Sequence, residues 1–119
     1  MTDDIFAERV AKVRQRFMSS LGQKIDSTHA ALLGLGGAEP PAAEAVAEAY
    51  RCIHGIVGIG RTVGFRAVGT AAHDVEDVLR PPYHAGRGLT DDEISVLKTS
   101  LQALREVATR ELQSNSPSH

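Results

Sequence analysis

His54 lies in the run Ile53-His54-Gly55-Ile56-Val57-Gly58-Ile59-Gly60-Arg61-Thr62-Val63-Gly64-Phe65, which keeps helical apolar spacing yet carries four glycines. Each interior glycine costs a helix about 0.8–1 kcal/mol relative to alanine. Three of them therefore cost about 3 kcal/mol, out of the ~5–15 kcal/mol by which a domain is stable. A sequence that accepts this loss around one histidine is expected to need close approach by a partner. The chemistry implied is that of a reactive imidazole on an open helix face, since an exposed imidazole is largely neutral near pH 7.

The helix that carries His54 decides what surrounds it. At about 100° per residue, a wheel centred on His54 puts Ala45, Cys52, Ile56, Ile59 and Val63 on the far side, as the expected core stripe. Ala47, Tyr50, Arg51, Val57, Gly58 and Arg61 fall near the histidine. Gly58, one turn on, has no side chain to block approach. Arg51 and Arg61 are candidates to hold an anion at the imidazole. Ala47, Tyr50, Val57 and Gly58 form the expected docking patch, Tyr50 and Val57 supplying exposed apolar area.

The remaining elements are read from periodicity. A long N-terminal helical region is expected from about Asp3 to Leu35 on Ile5, Val10, Val13, Phe17, Leu21, Ile25, Ala30, Leu32 and Leu33. Asp3 or Asp4 can cap it, and Gly34, Gly36 and Gly37 stop it. A second helix should run from about Ala42 to Thr62 after Glu39-Pro40-Pro41. A third should cover Phe65 to Leu79, ended by Pro81-Pro82, with a loop from Tyr83 to Leu89. Thr90 and Glu93 form a capping box that opens a fourth helix on Ile94, Leu97, Leu101, Leu104, Val107 and Ala108, through about Leu112. No period-two pattern or internal repeat interrupts this series. The fold class is an all-α antiparallel four-helix bundle with an extended N-terminal helical region, one domain over residues 1–113. Residues 114–119 read as a polar, disordered tail.

Composition narrows the function classes. The 119 residues are 42% hydrophobic and 24% charged, with 4% aromatics and no tryptophan, which suits an aliphatic helical core. A formal net charge of −2 provides no basic field for nucleic acid or an anionic membrane. Cys52 is the only cysteine, so no intramolecular disulfide can form and a reducing, cytoplasmic setting is expected. The N-terminus lacks the order of a signal peptide, and arginines and His54 interrupt the one apolar stretch. Nothing in the exposed faces calls for more than a monomer.

Other signals point elsewhere only weakly. Gly58-x-Gly60-x-x-x-Gly64 is similar to a dinucleotide-binding loop, but that loop needs a preceding strand, and helices flank it here. His73 with Glu76 has i, i+3 spacing, yet a solvated acidic face is the simpler reading, and no metal site is assigned. Cys52 is expected to be an inert thiol on the core side.

The His54 segment resembles a histidine-containing phosphotransfer (HPt) domain, the single-histidine module of two-component phosphorelays. The family pattern is a histidine, a hydrophobic residue two on, lysine at the third position, glycine at the fourth and another glycine six further. Here those positions are His54, Ile56, Val57, Gly58 and Gly64, so only the lysine is missing. The acidic residue of the next helix corresponds to Glu76, after Ala71-Ala72-His73, and a family phenylalanine to Phe17. The resemblance spans about residues 10–110. It implies that His54 accepts a phosphoryl group from a receiver-domain aspartate and passes it to another. Arg61 or Arg51 would take over the role of the missing lysine. Partners would be response-regulator receiver domains and a hybrid histidine kinase. This chain would be a phosphocarrier with no cofactor of its own, the magnesium belonging to the receiver. The alternative is a degenerate member that binds a receiver or kinase as an adaptor without being phosphorylated.

Overall fold

The structure, a computed structural model, describes residues 2–37 and 39–114, apart from the side chains of Thr2, Asp3, Leu33, Leu112 and Ser114. The 114–119 tail therefore lies almost wholly outside the described residues. Four α-helices make up the described chain: α1 (Thr2–Ala30), α2 (Pro40–Thr62), α3 (Arg66–Ala85) and α4 (Asp91–Ser114). A short 3-10 turn, Leu32–Leu35, follows α1. One isolated parallel bridge, Gly36 to Leu89, ties the loop before α2 to the loop before α4.

The antiparallel α2–α3 hairpin is the centre of the bundle, and glycine makes it possible. Gly64 (φ +92) ends α2 in a left-handed conformation, and Phe65 N–H donates to the Gly60 carbonyl at 2.7 Å, a Schellman closure. Gly60 and Gly69 face each other across the hairpin, so that a Cβ on Gly60 would lie 3.4 Å from the Gly69 nitrogen. Two of the four glycines near His54 thus serve the helix crossing and its turn. Gly55 and Gly58 have open space beyond them.

Inside the bundle Phe65 stacks on Phe17 with ring centroids 5.5 Å apart. Leu21, Ile25, Ile53, Ile56, Leu79, Leu97, Leu101 and Leu104 complete a dry aliphatic core. The α3 N-terminus is capped from another helix, because the Glu111 carboxylate accepts from Ala67 N–H (3.2 Å) and Val68 N–H (2.9 Å).

Three expectations change. The apolar stripe of α1 is buried only from Phe17 onward: Val10 is half-buried, and Ile5, Val13 and Ala30 are exposed. The molecule is 54 Å long, and a 29-residue helix is longer than the helices it packs on, so its N-terminal part has no core to enter. On α2 the buried residues are Ala42, Val46, Ala49, Ile53, Ile56, Val57 and Gly60, whereas Ile59 is exposed and Ala45 and Cys52 are half-buried. The core stripe is rotated by roughly 60° from the point opposite His54, at about 100° per residue. His54 sits on the flank of the helix. Finally, α3 does not end at Leu79 but passes through Pro81 and Pro82 to Ala85. Two prolines delete two backbone hydrogen bonds. The last turn survives because Pro82 is buried, Tyr83 stacks on Tyr50 (4.1 Å), and Arg87 N–H donates to the Pro82 carbonyl (3.1 Å) past Gly86.

The capping box forms as expected. Glu93 N–H donates to Thr90 Oγ1 (3.1 Å), and Thr90 N–H donates to Glu93 Oε1 (2.9 Å). Arg87 adds a two-pronged ion pair, and its guanidinium is the main reason the Glu93 pKa falls to about 2. A lowered folded pKa stabilises above the unfolded value and ceases to do so as pH falls through the folded one. Glu93→Gln should therefore cost about 1 kcal/mol at pH 7 in urea denaturation. The gap to the parent should narrow between pH 4.5 and about 2. An unchanged gap across that window would assign the stability to the backbone cap alone.

Candidate functional site

His54 projects from the flank of α2, with its side chain 67% exposed, and its ring is held from α3. His54 Nδ1 lies 2.6 Å from Glu76 Oε2. The other carboxylate oxygen, Oε1, accepts from Arg80 Nη2 at 2.7 Å, and Arg80 Nη1 donates to Asp77 at 2.6 Å. Glu76 itself is 4% exposed, so both of its oxygens are satisfied by these two partners. With Nδ1–H donating to the carboxylate, the Nε2 lone pair is directed away from Glu76.

A second set of contacts fixes the plane of the ring. Tyr50, one turn before His54, stacks on it with centroids 5.9 Å apart and planes 13° from parallel. Tyr50 is in turn stacked on Tyr83. The Arg80 pKa is raised, with Tyr50 the leading cause and Asp77 the next. The stack of Tyr50 on His54 and the chain His54–Glu76–Arg80 thus bridge α2 and α3.

The expected site residues divide into three groups. His54 and Gly58 are exposed, with Gly58 leaving clear space one turn ahead, and Ala47 is half-buried. Val57 is 6% exposed, which corrects its placement on the docking patch. The rotated core stripe carries it inward, and its carbonyl would lie 3.6 Å from a Cβ on Gly69. Arg51 and Arg61 are exposed, and neither makes a hydrogen bond or ion pair with His54. The Arg61 stem crosses α3 at Gly69, lining an open depression with Arg66 and Thr70.

Sequence reasoning missed Arg80 and Tyr83. The signal existed in the i, i+4 spacing of Glu76 and Arg80. It was hidden by ending the helix before the two prolines, which placed Tyr83 in a loop. His73 pairs with Asp77 (3.4 Å), and not with Glu76, which turns toward His54.

The helical hairpin presents the imidazole of His54 beside the open space at Gly58. The chain belongs to the Hpt domain family, whose model matches residues 12–107. No curated protein and no solved structure is similar enough to match. Hpt domains act in histidine phosphotransfer within two-component signalling, as phosphocarriers that interact with receiver domains and kinases. Among the described residues no helix is long and apolar enough to cross a membrane.

Proposed function

We propose that this chain is a phosphorelay intermediate that carries a phosphoryl group on His54 Nε2 between receiver-domain aspartates. The observation that carries the reading is the Nδ1–Glu76 contact beside the open space at Gly58. In the forward step the Nε2 lone pair forms a bond to phosphorus, and the bond from phosphorus to the aspartyl oxygen breaks. The electron pair leaves with the aspartate carboxylate. The Nδ1 proton stays in its hydrogen bond to Glu76, which offsets positive charge gained by the ring. The receiver supplies the magnesium ion and most of the charge stabilisation. Transfer onward reverses these events at a second aspartate.

Arg51 and Arg61 are proposed to meet the phosphoryl oxygens or the acidic rim of the receiver in place of the family lysine. Ala47, Tyr50 and Gly58 contribute to the docking face.

The test is phosphoryl transfer from a panel of phosphorylated receiver domains, with the label mapped by mass spectrometry. Acid-labile, base-stable label on His54 supports the relay. Binding without label on any receiver supports the adaptor reading, which the apolar, buried Val57 at the lysine position favours. Gly58→Arg should fill the only gap one turn ahead of the histidine. It is expected to weaken receiver binding by at least about tenfold, read by titration calorimetry, because a misfitted side chain at the centre of an interface costs upward of ~1.4 kcal/mol. Unchanged affinity would move the docking face away from Gly58.

A further inference from the structure

Glu76 faces two groups that compete to define its state, and the balance between them decides which nitrogen of His54 is free. The carboxylate is buried, and Arg80 holds the oxygen that His54 does not use, which keeps the other oxygen on Nδ1. A carboxylate turned off Nδ1 would leave the imidazole proton free to sit on Nε2. The outward nitrogen would then have no lone pair to offer. Arg80 is the ion-pair partner of the Glu76 oxygen that His54 does not use. Tyr50 stacks on the imidazole and so holds the plane of the ring. Tyr83 backs Tyr50, which is possible only because α3 continues through Pro81 and Pro82.

We propose that Arg80 and Tyr50 are positioning residues, Arg80 holding the Glu76 carboxylate on Nδ1 and Tyr50 holding the plane of the His54 ring, so that the phosphoryl group is accepted at Nε2 alone. The inference rests on the phosphocarrier reading of His54. It reassigns Tyr50 from docking toward orientation of the acceptor. Neither residue touches the reacting phosphorus; both act through Glu76 and the ring plane.

The experiment uses the full chain and two readouts. Nitrogen-15 NMR of the unphosphorylated protein reports which imidazole nitrogen carries the proton. Phosphoramidate then serves as a small donor: the new bond forms between His54 and phosphorus, and ammonia leaves with the electron pair and a proton. Phosphorus-31 NMR reports the isomer formed.

The parent protein should hold its proton on Nδ1 and yield only the Nε2 phosphohistidine. Arg80→Met should shift the proton toward Nε2, slow acceptance by about tenfold or more, and give a mixture of isomers, by analogy with other residues that fix a histidine tautomer. Arg80→Lys, which restores the charge, should recover the parent tautomer and come within about threefold of its rate. Tyr50→Leu removes the stacked ring from His54 and should show a smaller shift in the same direction, whereas Tyr50→Phe, which keeps the stack, should match the parent. Arg80 is 39% exposed, so these variants should fold. A parent tautomer and rate retained in Arg80→Met would overturn the proposal, as would a parent protein with its proton on Nε2. A parent with the proton on Nδ1 that still takes no phosphoryl group from phosphoramidate or any receiver would uphold the brace and refute the carrier function.

Discussion

Replacing His54 by glutamine should abolish phosphoryl acceptance while leaving receiver binding within about twofold of the parent. Catalysis and docking separate here for a geometric reason. The imidazole is two-thirds exposed and contributes little buried area. Its one strong polar contact is donation to Glu76. A glutamine amide can make that same donation, so the buried carboxylate keeps both partners and the α2–α3 hairpin keeps its brace. What the amide lacks is a nucleophilic lone pair on nitrogen, so no residual transfer through position 54 is expected. Labelling the variant with the same receivers, alongside calorimetric binding, checks both halves. Label persisting at the parent level would place the acceptor on another histidine, and lost binding would make the imidazole part of the interface.

Phe65→Ala should have the largest effect on stability, about 3–5 kcal/mol. The ring is fully buried, stacks on Phe17 and lies under the Arg14 guanidinium, 4.9 Å from its centroid. Phe65 also occupies the junction of the hairpin, where its N–H closes α2 and its carbonyl accepts from Gly69 N–H at 3.0 Å. Removing the ring leaves a cavity between α1 and the α2–α3 turn, and backbone hydrogen bonds on both sides restrict collapse into it. For a domain of this size the loss should lower the melting temperature by at least about 12 °C, measured by circular dichroism. Phosphoryl acceptance at low temperature should persist, because the contacts that orient His54 lie farther along the hairpin. A shift of only a few degrees would mean that the Phe17 side of the core repacks to fill the space.

The two variants mark different degrees of legibility. Helical periods and the Thr90–Glu93 capping box are local, and each appears where the spacing places it. The HPt-like pattern at His54, Ile56, Gly58 and Gly64 is local as well, lying within one helix and its turn. Elsewhere the wheel was misled. It took His54 as opposite the core and so turned Val57 outward and Ile59 inward. The buried face of α2 is set by where α3 approaches, and Gly60 against Gly69 decides that approach. Periodicity fixes which residues share a face but not which neighbour the face meets. The proline pair shows the same limit, since its local cost is outweighed by Tyr83 packing on Tyr50 from another helix.

From the sequence alone come the helices of a bundle, their polarity, the HPt-like pattern around His54, and the acidic residue one helix away. Those features rest on hydrophobic spacing and short motifs, which are properties of neighbouring residues. Only the tertiary structure decides that Glu76 grips Nδ1, that Arg80 holds its other oxygen while Tyr50 stacks on the ring, and that Val57 is withdrawn from the surface. Each of these depends on the rotation of α2 against α3, and that rotation is fixed by long-range packing of side chains many residues apart in the chain.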